Sequence, residues 1–287
     1  MKPGTPILRF APSPNGRLHL GHAYSALLNA DLAARMGGVC RLRIEDIDPQ
    51  RSKPDLVAGI VADLAWLGLT YPEPVRHQSR HMDAYRAVLD SLARRGLAYP
   101  CFCSRGEIKA RAASVRQHPC DPDGAPLYPG HCRGLDPALA ADRVARGDPH
   151  TWRLAMQAAL GCTTVPLGYI AFDAGGAHRV TADPARWGDA VIARRDVPTS
   201  YHLAVVHDDA AEKITHVVRG QDLQAATDLH VLLQALLDLP VPDYRHHPLV
   251  RDATGEKLAK SRGSQSLADL RQAGVTPEAI RARLGFT

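Results

Sequence analysis

No apolar run in this chain is long enough to cross a bilayer, which excludes a membrane-spanning helix. The opening residues, MKPGTPILRFAPSP, hold no apolar h-region, so no signal peptide is expected and a cytoplasmic protein is read. Internal repeats and low-complexity tracts are missing too, which sets repeat arrays aside. Aromatic residues are sparse, at 5% of 287. The remainder is ordinary: 45% hydrophobic and 23% charged, enough chain for one or two globular domains. A net charge of +5 suits a polyanionic partner without identifying one. Cysteines number only six, yet four of them crowd between Cys101 and Cys132. In a cytosolic chain disulfides are not expected, and such crowding favours a metal site.

Along the chain, ILRF (Ile7 to Phe10) reads as a short buried strand. It runs into the Pro-rich turn APSPNG and then a helix from about Gly21 to Met36, stopped by Gly37-Gly38. VCRLRI (Val39 to Ile44) is the next strand. Pro54 suits the first turn of a helix whose apolar face is Leu56, Ile60, Leu64 and Leu67. Another helix is expected from about Ser79 to Arg95. Strand, helix, strand, helix argues for a parallel α/β sheet. From Tyr99 to about Arg195 the character changes. Ser104 with Glu107 makes a capping-box signature, a Pro-, Gly- and Asp-rich loop follows, and short strands and turns run from Thr151 to about Ala193. The α/β pattern then resumes: YHLAVVHDD and ITHVVRGQDL look like two buried strands, and a helix is expected from about Ala226 to Leu237. The tail holds a loop, RDATGEKLAKSRGSQS, and two short helices, the last opened by Thr276-Pro277. The expected division is 1–98 and 196–240 as two halves of one unit, 99–195 as an insertion, and 241–287 as a tail.

Two stretches carry chemistry. In APSPNGRLHLGHAYS, His19 and His22 flank Leu-Gly at the mouth of a helix. A helix N-terminus gathers unpaired N–H groups and the positive dipole end, so it attracts phosphate. Gly21 removes a side chain where a base or phosphate would approach, and the two imidazoles can donate to phosphate oxygens as charge builds. The bland alternative is a pair of helix-capping histidines. In GEKLAKSRGS, Lys257 and Lys260 stand on a loop with Ser261 and two glycines. Lysines so placed can neutralise a departing pyrophosphate.

Together HLGH and KLAKS resemble the HIGH and KMSKS motifs of class I aminoacyl-tRNA synthetases. RFAPSPNGRLHLGHA, RLRIEDIDPQRS, YHLAVVHDD, VVRGQDL and TGEKLAKS also occur in the order found in glutamyl-tRNA synthetases. The resemblance implies an α/β fold, a Rossmann-like class I catalytic core with an inserted zinc-bearing α+β subdomain. It implies ATP-dependent activation of L-glutamate with Mg²⁺ on the phosphates, His19, His22 and Lys260 being catalytic and Gly21 and Lys257 joining them around ATP. Arg9 matches the group that pairs with the glutamate side-chain carboxylate, as a guanidinium fork suits one. Ser13 and Glu45 match the holders of the α-amino end, and Tyr201 and Arg219 match two further glutamate contacts. Asp46, Asp48 and Arg51 fit the pattern as structural turn and ion-pair residues.

Cys101, Cys103 and Cys132 favour zinc by their softness. The resemblance implies Tyr128 as fourth ligand, from the Cys-x-Cys and Tyr-x-x-x-Cys pattern of the short glutamyl-Q tRNA(Asp) synthetases. His118, Cys120 and His131 stay in reach as alternatives. Such a zinc is structural, with four protein ligands and no open position. The same short family implies the acceptor: the queuosine base at the wobble position of tRNA(Asp). His202 stands where ordinary glutamyl enzymes tend to carry Asn, and RGQDL resembles the short family's version. The chain ends at Thr287 soon after KLAKS, so no anticodon-binding domain is expected, and a monomer is. Two rival readings are a truncated glutamyl-tRNA synthetase charging a 3′ end and a non-catalytic binding paralogue, with Ala259 departing from the KMSKS pattern.

Overall fold

In the computed structural model, which describes residues 4–250 and 265–286, the first strand, β1 (Ile7–Phe10), is buried at every position. A strand with no solvent face needs cover on both faces. β2 (Val39–Ile44) pairs with it in parallel, setting Arg9 opposite Arg41, and β3 (Arg76–His77) extends the sheet beyond β2. α1 (Leu20–Arg35) connects β1 to β2, and α2 (Pro54–Trp66) opens on its proline and buries Ile60 and Leu64. A 3₁₀ turn at Gln78–His81 leads into α3 (Met82–Arg94).

The middle of the chain builds a second, antiparallel sheet. β4 (Ala98–Cys101) pairs with β5 (Thr151–Leu154), and β5 with β8 (Val191–Ala193). Between β4 and β5 lie α4 (Arg105–Ala113) and α5 (Pro137–Ala145). The capping box at α4 forms as expected: Ser104 Oγ accepts from the Glu107 N–H, and Glu107 accepts from the Ser104 N–H. α6 (Met156–Gly161) interrupts what reads in sequence as strands and turns. β6 (Gly168–Asp173) and β7 (Gly176–Thr181) form an antiparallel hairpin.

One segment differs outright from its sequence reading. YHLAVVHDD is not a strand but α7 (Tyr201–Ala211). Leu203 to Val206 are buried in succession because α7 packs on α3, β8 and α8 (Ala226–Leu236), leaving no polar stripe. A short continuous apolar run does not distinguish a buried strand from a buried helix. The usable signal was Ser200, whose side chain caps the helix at the Leu203 N–H. ITHVVRGQDL does form a strand, β9 (His216–Gly220).

β10 (Asp243–His247) pairs in parallel with β9 on one side and with β6 on the other, giving the order β7-β6-β10-β9. The segment 99–195 thus contributes strands to two sheets. β1 and β9 are laced together: the Thr215 N–H donates to the Ile7 carbonyl at 2.9 Å, and Asn29 Nδ2 of α1 donates to the Val218 carbonyl at 3.1 Å. α9 (Leu267–Gln272) and α10 (Pro277–Arg283) close the chain, the latter capped by Thr276. No helix among the described residues is long and apolar enough to cross a membrane.

Candidate active site and metal centre

The ends of β1, β2, β9 and β10 deliver Phe10, Glu45, Gly220 and His247 to one cleft of about 1000 Å³. This is where open parallel sheets place ligands, outside the carboxyl ends of their strands. Arg9, Ser13, His19, Gly21, His22, Glu45, Tyr201 and Arg219 all line it. Lys257 and Lys260 lie outside the described residues.

The two histidines sit on the first turn of α1 and cap it. The Gly21 N–H donates to His19 Nδ1, and the His19 N–H donates to His22 Nδ1, both at 3.1 Å. A ring nitrogen that accepts carries no proton, so both protons are assigned to Nε2. The rings lie 3.9 Å apart between centroids. Capping and phosphate binding are therefore not alternatives here: Nδ1 serves the helix and Nε2–H is the donor edge. Gly21 has a more local reason than ligand approach. A Cβ there would lie 3.0 Å from His19 Cε1, so glycine is what lets the His19 ring fold back over its own helix.

Beneath the cleft runs a buried ionic network. Asp209 Oδ1 accepts from Arg9 Nε at 3.0 Å and from Arg43 Nη2 at 2.6 Å. Arg43 continues to Glu212 at 3.0 Å and stands 3.7 Å from Glu45. Burial pushes the Glu45 carboxyl up to about 7, outweighing the attraction of Arg43 and Arg9. Burial raises Asp209 as well, but Arg9 and Arg43 hold it below the usual carboxylate range. The acids expected to be structural have such partners: Asp46 accepts from Ser79 N–H and Oγ at 2.8 Å, and Asp48 from Arg194 at 3.0 Å.

Arg219 is different. It is only 5% exposed, and its hydrogen-bond partners among the described residues are histidine, tyrosine and threonine side chains. Its Nε faces His246 Nε2 at 3.5 Å, Nη1 faces Tyr201 Oη at 3.3 Å and His230 Nδ1 at 3.2 Å, and Nη2 donates to Thr227 Oγ1 at 2.8 Å. Among the described residues no carboxylate pairs with it. A buried cation without a counter-charge is costly, which marks the place where an anionic ligand would be stabilised. Sequence reading placed Arg219 and Tyr201 but missed Thr227, His230 and His246. The one signal was a polar His230 inside the apolar stretch LHVLL.

The cysteines converge as the spacing suggested. Sγ atoms of Cys101, Cys103 and Cys132 all lie within 4.8 Å of one another. Cys103 Sγ is 3.6 Å from Cys132 Sγ and 3.4 Å from Tyr128 Oη. Around tetrahedral zinc those edges come to about 3.8 Å for S···S and about 3.5 Å for S···O, so the donor set fits the ion. The Tyr128 oxygen also accepts from the Cys132 N–H at 2.8 Å, and the Arg153 guanidinium stacks 4.0 Å over its ring. The alternatives turn elsewhere: His118 Nε2 meets the Leu127 carbonyl at 2.8 Å, while Cys120 and His131 are exposed. Tyr128 and Arg153 also line a smaller cavity of about 370 Å³, together with Trp187 and His202.

Residues 7–287 match the family described as tRNA synthetases class I (E and Q), catalytic domain. A Glutamyl-Q tRNA(Asp) synthetase of Rhodobacter capsulatus is 44% identical over 98% of this chain and 100% of its own length. A glutamate–tRNA ligase of Oleidesulfovibrio alaskensis is 37% identical over 98% of this chain but only 57% of its own. A crystal structure of a glutamate tRNA ligase from Elizabethkingia meningosepticum, in complex with its amino acid, superposes with a TM-score of 0.73 at 28% identity. It covers 90% of this chain, which spans about half (52%) of that one. The chain belongs to the class I (E and Q) tRNA synthetases, as a ligase of their glutamyl-Q tRNA(Asp) branch.

Proposed function

We propose that the cleft activates L-glutamate with ATP and passes the glutamyl group to the queuosine base at the wobble position of tRNA(Asp). The observation that carries this reading is the convergence of eight motif residues, from Arg9 to Arg219, on one cavity. Arg219 and Arg9 take the side-chain carboxylate, and Glu45 and Ser13 take the α-amino end. This leaves the α-carboxylate toward the α1 N-terminus. It attacks the α-phosphorus of the Mg²⁺-bound nucleotide, a new C–O–P bond forms and pyrophosphate departs. His19 and His22 donate from Nε2 to the phosphate oxygens as charge grows, while Lys257 and Lys260 are assigned the pyrophosphate from their motif alone. Catalysis on this reading is positioning and charge stabilisation. A hydroxyl of the acceptor base then displaces AMP from the mixed anhydride. The choice of acceptor rests on kinship with relatives so named.

The second proposal is one structural zinc per monomer, held by Cys101, Cys103, Tyr128 and Cys132. It staples the loop that joins α4 to α5. Burial first, then the neighbouring Cys132 and Cys101 sulfurs, push the Cys103 thiol up to about 11 against the opposing Tyr128 hydrogen bond, so a thiolate there calls for a cation.

The test is glutamate-dependent ATP–pyrophosphate exchange, with and without tRNA, followed by transfer to queuosine-containing tRNA(Asp) and to tRNA(Glu). Exchange with glutamate and transfer to the first are expected. Efficient charging of tRNA(Glu) would replace the acceptor, and no exchange under either condition would favour a binding protein.

A further inference from the structure

A guanidinium has five N–H donors and no acceptor. For Arg219 this fixes the state of every histidine around it. His230 Nδ1, at 3.2 Å, must accept, so its proton sits on Nε2. That Nε2 is 3.2 Å from His202 Nδ1, which must accept in turn, and His202 carries its proton on Nε2. On the other side Thr227 Oγ1 accepts from Arg219 Nη2 at 2.8 Å, so its hydroxyl donates to His246 Nε2 at 3.1 Å. His246 therefore holds its proton on Nδ1. All three rings are neutral in this arrangement, and no donor is aimed at another donor. The surroundings agree: burial, then the charge of Arg219, holds His202 down at about 4 and His246 at about 3, and keeps His230 well below its ordinary value. Counting the bonds made, one Nη2 hydrogen remains for a ligand.

We propose that His202 and His230 are positioning residues that hold the Arg219 guanidinium on uncharged acceptors, keeping its charge for the side-chain carboxylate of the bound amino acid. This rests on the glutamate reading above and goes beyond it by naming what makes the pocket select a dicarboxylate. A carboxylate at position 230 would neutralise Arg219 in advance; an apolar side chain would leave the guanidinium unanchored. Neither histidine lines the synthetic cleft, so each acts through Arg219 and not by touching substrate.

The experiment is ATP–pyrophosphate exchange on the full chain, with tRNA present, comparing wild type with His230→Leu, His230→Gln and His230→Glu. His230→Leu is expected to raise the KM for glutamate about ten- to a hundredfold, the loss of one charge-assisted bond, while the KM for ATP and kcat stay within about twofold. His230→Gln keeps an acceptor and a donor and is expected to restore the glutamate KM to within about threefold of wild type. His230→Glu is expected to narrow the preference for glutamate over glutamine. In parallel, nitrogen-15 histidine NMR reads the tautomers, with Nε2–H expected at His202 and His230 and Nδ1–H at His246. An unaltered glutamate KM in His230→Leu, or a rise in both KM values with no rescue by Gln, overturns the role. Wild-type protein that fails to use glutamate while keeping the tautomer pattern overturns the glutamate reading, and this role with it, but not the hydrogen-bond assignment.

Discussion

Arg43 Nη2 and Asp209 Oδ1 meet at 2.6 Å across 166 residues of chain, with side chains 0% and 6% exposed. The contact ties the second strand of one half-sheet to the last turns of α7. Removing one partner of such a pair leaves an uncompensated buried charge, a loss of about 3–5 kcal/mol. Asp209→Asn is therefore expected to lower the urea unfolding midpoint strongly. The exposed Arg35–Asp31 pair makes the control, since Asp31→Asn is expected to leave the midpoint unchanged.

The fold-back of His19 over Gly21 gives a kinetic prediction. Gly21→Ala puts a methyl 3.0 Å from His19 Cε1, a contact the ring relieves by shifting, and exchange is expected to fall about tenfold in kcat with little change in the glutamate KM. His22→Ala, which removes a donor outright, is expected to cost about a hundredfold. Steady-state exchange kinetics separate the two.

Glu45 supplies a pH dependence. Its folded value, about 7, lies above the ordinary 4.5, and only the carboxylate offsets an α-ammonium. The affinity for glutamate is expected to rise with pH through about 7 and then level off, a limb that Glu45→Gln should abolish. For stability the sign runs the other way. The native state keeps a proton that the unfolded chain has lost, so Glu45 contributes most below about 4.5 and its contribution fades as pH rises through about 7. Denaturation midpoints of wild type and Glu45→Gln at pH 5 and pH 8 check this.

Purified protein is expected to carry one zinc per chain by elemental analysis, and Cys103→Ser to carry far less. Chelation should expose the loop between α4 and α5 to proteolysis, while glutamate-dependent exchange, carried out in the other cleft, persists. Loss of exchange in step with the metal would contradict a purely structural ion.

How far the sequence reaches depends on where each signal lives. β1 and β2 were legible to the residue, because short runs bounded by Pro and Gly turns have few other readings, and the start of α2 was written in its proline and those of α4 and α10 in their caps. α7 was not, because burial on every side erased its periodicity. The motif residues were visible as chemistry, and their positions around the cleft follow from strand ends. The cage of Thr227, His230 and His246 could not be assembled from the lone signal at His230, since its meaning depends on a guanidinium reaching across from another element and on the absence, among the described residues, of an acid paired with it.

His202 turns one ring nitrogen to His230 and also lines the cavity bordered by Tyr128. The path from that cavity to the synthetic cleft therefore runs through His202, His230 and Arg219, three side chains in hydrogen-bond contact, of which only the last lines the cleft.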